Sequence, residues 1–464
     1  MKSLEALSSH VVKKGGDLLL PTGRVLLEEE LERIAPEAWR EEMKKLSSRG
    51  KVKTQPGVDL TRRTCNRCGG MDLHFVDCGS CRKECAYCTS CLQMGRSKTC
   101  TPLYYIEDEE EERTSLTHSL LAWKGNLTPS QLEASDTASD LVRKTNQKCL
   151  IWAVCGAGKT EVTFKPIDQA LQLGQKVLIA TPRKDVVLEL FPRIQQAFPT
   201  VRVIALHGKS AQKWEEAQIT ISTTHQVLRF YQKFDLVVID EVDAYPYHNN
   251  PMLYFAVERA RKPSGNLLYL SATPPDYLRK LPQVRIPARY HRKPLAVPQI
   301  VLERNLAKRL KKITHLDVIH QIINYIFENQ RQGFFFVPYI GLVEELVNQL
   351  NHYDEIEGTH SRDPAREEKV RRFREGEIRI LVTTTILERG VTVPKTDVIV
   401  IQADSSIFDE ASLVQMSGRA GRSLLDPVGT VVFIAEEKTR EMKKAIKHIK
   451  QMNKWAKKRG LLDC

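Results

Sequence analysis

No apolar run in the 464 residues approaches the ~18 that a membrane-crossing helix needs. Runs such as Asp235-Leu-Val-Val-Ile-Asp240 are strand-sized. The N-terminus, Met1-Lys-Ser-Leu-Glu-Ala, lacks the charged-then-apolar layout of a secretion signal. These absences predict a soluble, non-exported chain. Acidic side chains are the scarcer charge: 57 against 70 basic ones leaves +13, which favours a polyanionic partner, either nucleic acid or an anionic membrane surface. Cysteine is nearly absent outside one stretch, with eight of the eleven lying between Cys65 and Cys100. Without an export signal, that clustering points to metal and not to disulfides. The remainder, 42% hydrophobic and 27% charged, is ordinary globular composition and excludes wholesale disorder. The length allows domains of about 150 residues roughly three times over.

The pattern along the chain divides it. Residues 1–63 are charged and amphipathic, with a helical look over 25–46; 64–105 hold the cysteines; 106–125 open on the acidic run Glu107-Asp-Glu-Glu-Glu-Glu112, read as a solvated linker. From there, short apolar runs at 149–154, 176–180, 202–205, 219–222, 235–239 and 266–270 alternate with helical stretches such as 185–198 and 252–261. Apolar strands alternating with helices predict a parallel sheet covered on both faces. Four prolines and many basic residues over 280–298 mark an inter-domain linker. A second set follows at 333–337, 379–382, 397–401 and 429–434, then a basic helix over 438–458. The expectation is two tandem α/β domains, 126–290 and 291–464, behind a small cysteine-rich module.

Ala153-Val-Cys-Gly-Ala-Gly-Lys-Thr160 lies between a predicted strand and a predicted helix, the setting in which backbone N–H groups cradle phosphate. Gly156, Ala157 and Gly158 would form the cradle, Lys159 would reach the β- and γ-phosphates of ATP, and the Thr160 hydroxyl would ligate Mg²⁺. Ala153 stands where the usual pattern has glycine. About eighty residues on, the apolar run 236–239 ends in Asp240-Glu241-Val242-Asp243, at the sheet edge where ligands bind. Asp240 would hold Mg²⁺ and Glu241 would deprotonate the attacking water. Arg419 and Arg422, with fixed charge and a fork that matches phosphate oxygens, would act from the second domain. Phe230, Tyr231, Tyr245 and Tyr247 are candidates for stacking on bases, and Lys443, Lys444, Lys447 and Lys450 for phosphate contacts, with packing and a solvated face as the respective alternatives.

Asp240-Glu241-Val242-Asp243 is a DExD box, and the ordered set around it resembles superfamily 2 helicases over about 126–435. Leu127-Thr-Pro-Ser-Gln131 is similar to the adenine-reading motif. Thr181-Pro182-Arg183 and Thr223-Thr224-His225-Gln226 resemble the motifs that grip the nucleic-acid backbone, and Ser271-Ala-Thr273 resembles the one that couples hydrolysis to the strand. Thr383-Thr384-Thr-Ile-Leu-Glu388-Arg-Gly390 resembles motif V, and Gln415-Met-Ser-Gly418-Arg419-Ala-Gly421-Arg422 matches motif VI. Thr392 departs from the acidic residue many relatives carry there. The resemblance implies that Gln131, Gly390 and Gln415 contact ATP, that Ser271 and Thr273 couple, and that Pro182, Arg183, Thr223, Thr224 and Thr384 contact DNA.

Tyr87-Cys88-x-x-Cys91, Met94-Gly95-Arg96, Asn250-Pro-Met-Leu-Tyr254 and the terminal Met452-Asn-Lys further resemble the bacterial late competence helicase family, ComFA. That likeness implies an ATPase stimulated by single-stranded DNA, working with other competence proteins in the cytoplasm or at the inner face of the cell membrane. The motifs alone define an engine and not its track, so a double-stranded DNA or RNA remodeller stays open, as does a zinc-bearing nucleic-acid scaffold with weak ATPase.

Tetrahedral Zn²⁺ needs two pairs of the form Cys-x₂-Cys. Cys65-x₂-Cys68-x₁₉-Cys88-x₂-Cys91 falls in the zinc-site window, and Cys78 with Cys81 is a rival second pair. The family resemblance favours Cys88 and Cys91. Cys78, Cys81 and Cys85 are then left for a second metal, with His74 or Cys100 as the fourth ligand.

Overall fold

The computed structural model describes residues 13–14, 17–18, 20–36, 38–109, 115–311, 317–388, 393–424 and 426–463. They fall into two compact units. The first takes in the described residues up to Asn126, with Glu133–Ile151 and Thr160–Val284; the second takes Leu127–Leu132, Trp152–Lys159 and the chain from Arg285.

A seven-stranded sheet runs in the order Val203–Leu206, Ile219–Thr223, Val177–Thr181, Phe234–Asp240, Arg261–Ser271, Lys148–Ala153, Gln283–Ile286. The first four joins are parallel. Leu236, Val237, Val238 and Ile239 are each at most 1% exposed. Burying a side chain of that size stabilises by about 1.5–3 kcal/mol, so this central strand is anchored on both faces. Five strands lie within one or two residues of the apolar runs, but Arg261–Ser271 begins five residues before the expected 266. Its early start is polar and follows directly on helix Pro251–Ala260, so hydrophobic pattern could not mark it. Gln283–Ile286 is a strand of this sheet and corrects the reading of 280–298 as a linker throughout; Val284 and Ile286 are buried in it.

In the second unit a six-stranded sheet runs Gln299–Leu302, Val431–Ala435, Thr396–Ile401, Gln332–Phe336, Ile380–Thr383, Ile356–Thr359, with every join parallel. Ile319, Ile323 and Ile326 of helix Asp317–Glu328 pack on it with Leu342 and Leu346 of helix Ile340–Gln349. The basic helix Arg440–Lys458 buries Met442, Ala445, Ile449, Met452 and Ala456, a stripe at three- and four-residue spacing.

Ahead of the large sheet, Pro102–Ile106 pairs antiparallel with both Arg24–Leu27 and Val52–Pro56. Helices Glu28–Ile34 and Trp39–Ser48 cover it, burying Leu31, Ile34, Trp39, Met43 and Leu46. The helical look over 25–46 is therefore a strand followed by two helices. Two hairpins carry the cysteines: Val58–Asp59 with Thr64–Cys65, and Leu73–Asp77 with Glu84–Cys88. The acidic run does not begin as a solvated linker. Asp108 accepts from Thr22 Oγ1 (3.0 Å) and pairs with Lys176 (2.9 Å), its side chain only 7% exposed.

Candidate functional site

The loop after Lys148–Ala153 turns back on itself through Ala157 N–H to Val154 O (3.1 Å), and the short helix Lys159–Val162 starts directly behind it. Gly156 and Gly158 have φ of +77° and +69°, a left-handed backbone that side-chain-bearing residues adopt only at a cost of about 1–2 kcal/mol. The glycines thus shape a concave row of N–H groups suited to phosphate. Gln131 accepts from Thr128 N–H (2.7 Å) and donates through Nε2 to Ala157 O (2.8 Å), tying the segment before helix Pro129–Val142 to the loop.

Asp240 ends its strand and accepts from the N–H of Glu241 (2.9 Å); Glu241 takes φ +58°, so the chain swings away sharply at the sheet edge. Asp243 is the joint of this region. Its two oxygens accept from Ser271 Oγ (2.6 Å) and Thr273 Oγ1 (2.7 Å), all three side chains being buried. The acidic box and the Ser-Ala-Thr segment are therefore one hydrogen-bonded body. Thr223 is nearly buried, and Thr224 is fully buried with its N–H donating to Thr181 O (3.0 Å). That backbone bond holds the 181–183 and 223–224 loops to each other. Pro182 is likewise buried, leaving Arg183 half-exposed at that edge.

In the second unit the Cys155 thiol donates to Gln415 Oε1 (3.1 Å), and a Cβ at Gly418 would stand 2.3 Å from that of Cys155, so only glycine fits. Arg422 lies along Gly156, its Cγ 3.6 Å from where a Cβ would be. Arg419 instead donates through Nε and Nη2 to Glu388 O (2.8 and 2.6 Å), tying motif VI to motif V, where Thr384 is half-buried. Gly390 and Thr392 lie outside the described residues. Arg289 had no signal within its proline-rich stretch. It is buried against Gly156, donates to Gly421 O, and leaves Nε and Nη2 without a hydrogen-bond partner among the described residues. Burial pushes its pKa down to about 10.

Of the aromatic candidates, Phe230 is fully buried beneath the Arg24 guanidinium (4.0 Å) and Tyr247 is 2% exposed, so both are packing residues; Tyr231 sits edge-on to Tyr105. Tyr245 alone of the four is open, at 87%. On the basic helix Lys444 pairs with Glu441, while Lys443, Lys447 and Lys450 are exposed and, with Lys454, form one ridge.

The cysteines form two groups of four. Cys65, Cys68, Cys88 and Cys91 come together, all buried, with Cys65–Cys91 and Cys68–Cys88 sulfurs 3.8 and 3.5 Å apart. Cys78 and Cys81 join a different group, with Cys85 and Cys100. His74 belongs to neither and stands edge-on to Tyr87. Between the first two cysteines, Arg67 is wholly buried, donating to Glu30 Oε2 (2.8 Å) and Met94 O (2.6 Å). Glu30 also accepts from Arg229 Nε (2.7 Å), in the turn that follows Thr223-Thr224. Burial alone would raise the Glu30 pKa, but the two guanidiniums overcome it and hold the carboxyl below its ordinary value. Arg259 donates to the carbonyls of Asn66 (3.3 Å), Arg67 and Leu228 (2.6 Å), clasping the cysteine turn to the same segment. Neither Glu30 nor Arg259 carries a sequence signal, since lone charges on helices are usually solvated; Arg67 is marked only by its place between two cysteines.

Comparison with known proteins matches this layout. Residues 18–105 match the family model "Competence protein ComFA N-terminal domain", 124–276 "Type III restriction enzyme, res subunit", and 314–423 "Helicase conserved C-terminal domain". Competence protein ComFA of Bacillus subtilis is 42% identical over 419 residues, 88% of this chain and 90% of that protein. The chain belongs to the ComFA family. The Streptococcus pneumoniae ComFA is 36% identical, over 84% of this chain and 90% of its own length. Among solved structures, Mycobacterium smegmatis helicase Lhr bound to single-stranded DNA and AMP-PNP has TM-score 0.54 at 20% identity, covering 71% of this chain and 48% of that one. Saccharomyces cerevisiae Dbp5 bound to RNA and ADP BeF3 has TM-score 0.53 at 17% identity, covering 73% and 98%. At such identities these two show the fold alone. With ComFA relatives and both helicase domains, the chain is a DNA-dependent ATPase of the helicase class, with a role in competence. Among the described residues no helix is long and apolar enough to cross a membrane.

Proposed function

We propose that the chain is an ATP-driven translocase on single-stranded DNA that draws transforming DNA inward, with a zinc-bearing module braced against its strand-gripping loops. The observation that carries this reading is the body formed by Asp243, Ser271 and Thr273, which joins the catalytic acids to a segment of the same sheet edge as Arg183 and Thr223. Lys159 and the N–H groups of Gly156, Ala157 and Gly158 bind the phosphates; Arg289 and Arg422 add fixed positive charge beside Gly156. Glu241 takes the proton of the attacking water. The Thr160 hydroxyl and Asp240 would hold Mg²⁺, which would supply charge neutralisation on the phosphates. Gln131, Gly390 and Gln415 contact the nucleotide, Arg419 holds motif V in register with motif VI, and Thr384 contacts the strand.

Sulfur separations near 3.8 Å are those of a tetrahedral Zn²⁺ with bonds of about 2.3 Å, so Cys65, Cys68, Cys88 and Cys91 fit that ion. The same reading has the motor act with other competence proteins in the cytoplasm, at the inner face of the membrane. The test is ATP hydrolysis with single-stranded DNA, duplex DNA, RNA or no polymer. Strong stimulation by single strands of mixed sequence supports the proposal. Equal stimulation by RNA or duplex overturns it in favour of a remodelling helicase.

A further inference from the structure

We propose that the chain carries a second tetrahedral zinc site, built from Cys78, Cys81, Cys85 and Cys100, and so holds two zinc ions in unlike surroundings. The four sulfurs lie within 4.8 Å of one another, with Cys81–Cys85 at 3.3 Å and Cys78–Cys100 at 3.8 Å. A disulfide would need about 2.05 Å, so the four sulfurs are unbonded, and their spacing suits one tetrahedral ion with bonds of about 2.3 Å. An all-sulfur tetrahedral set selects zinc or an iron–sulfur centre.

The backbone supplies an independent argument. At the first site, Cys65 N–H donates to Gly70 O (2.8 Å), Gly69 N–H donates to Cys65 O (2.8 Å), and Gly69 has φ +71°. At the second, Cys78 N–H donates to Lys83 O (3.0 Å), Arg82 N–H donates to Cys78 O (2.7 Å), and Arg82 has φ +56°. The two turns are the same turn, bond for bond. Holding arginine, and not glycine, in the left-handed region costs about 1–2 kcal/mol. A binding turn retained against that cost has something to hold.

Strand Glu84–Cys88 then serves both ions. Residues three apart on a strand point to opposite faces, so Cys85 enters the second group and Cys88 the first. The fourth ligand arrives because Thr99 N–H donates to Ala86 O (2.9 Å) and Lys98 bridges Tyr87, laying Cys100 beside the strand. The surroundings differ sharply. All four cysteines of the first site are buried, whereas Cys100 is exposed and Cys81 half-exposed. Arg96 and Lys98 share a cleft of about 200 Å³ with Cys78 and Cys85, placing positive charge beside what would be a dianionic zinc–thiolate centre. The second ion is the more accessible and leaves first.

The experiment counts metal in the purified full-length chain by elemental analysis, and follows zinc release to a chelating dye. We expect two zinc ions per wild-type chain, one after Cys81→Ser, one after Cys100→Ser, and two after His74→Ala. Release should be biphasic, with Cys81→Ser removing the fast phase. Cys100 lies at an exposed position, so its variant keeps the test valid where Cys81→Ser fails to fold. One zinc per wild-type chain that survives both Cys81→Ser and Cys100→Ser overturns the proposal, as does stoichiometric iron. Metal counting needs neither ATP nor DNA, so its failure leaves the motor reading standing.

Discussion

The catalytic loops and the cysteine module place their working side chains by different means. The loops hang from strands such as Phe234–Asp240, whose residues are all buried, and their geometry follows from a sheet that would persist without any ligand. The module has hairpins of two and five residues per strand and exposes Met71 and Phe75 at 70% and 42%. So little apolar burial cannot offset the entropy of ordering such short segments. On the proposed reading a metal drawn to the converging cysteines would hold it, with the buried Arg67–Glu30–Arg229 clasp. A large sheet can tolerate the loss of one side chain; a small module organised around an ion cannot lose the ion.

The sharpest way to break this contrast is metal removal. Stripping zinc with a strong chelator should take from the module on the order of 10 kcal/mol of apparent binding energy. Limited proteolysis should then cut within 64–101 while the helicase sheets resist. Equal resistance of the stripped module would mean that packing alone holds it. Next in size is Glu241→Gln, which should slow hydrolysis by about 10²–10⁴ while nucleotide binding persists. Lys159→Ala should weaken binding as well. Single-turnover hydrolysis and nucleotide titration separate the two, and near-normal turnover in the Glu241 variant would sink the assignment.

Glu30→Gln tests the clasp between the two regions. It leaves Arg67 and Arg229 as buried cations without their anion, a loss of about 3–5 kcal/mol. Denaturant unfolding should show the deficit, and the affinity for single strands should fall because Arg229 lies in the turn that follows Thr223-Thr224. Since the Glu30 pKa is depressed below 4.5, the clasp's stability is present above that pH and is lost as pH falls through the lower folded-state value. The smallest effect is expected at the ridge of Lys443, Lys447 and Lys450. If it touches phosphate, replacing all three by Ala should reduce the slope of log affinity against log[salt] by about 0.7 for each phosphate no longer neutralised. An unchanged slope would assign the ridge to solvent.

The engine was legible because parallel strands write themselves as continuous apolar runs and the phosphate loop needs its glycines wherever it occurs. Runs near 149, 177, 219 and 235 therefore located the loops that follow them, and motif order along the chain supplied the rest. Boundaries failed where polarity hid a strand, as at Arg261, or where proline and charge masked one, as at Gln283–Ile286. Two of the four aromatic candidates, Phe230 and Tyr247, fill the interior for a related reason: ring character says nothing about exposure.

Spacing likewise confined a candidate metal site to the stretch between Cys65 and Cys100 but left two pairings open, since cysteines far apart in sequence meet only through the path of the chain between them. The hairpin Leu73–Asp77/Glu84–Cys88 decided it, sending Cys85 and Cys88 to opposite faces of one strand. Tertiary structure alone also brought Asp243 to Ser271 and Thr273, and Glu30 to two arginines distant in sequence. A buried charge is tolerable only beside its opposite, and that neighbour is chosen by the fold. What residues can do chemically was written locally; which of them do it together was settled by long-range burial.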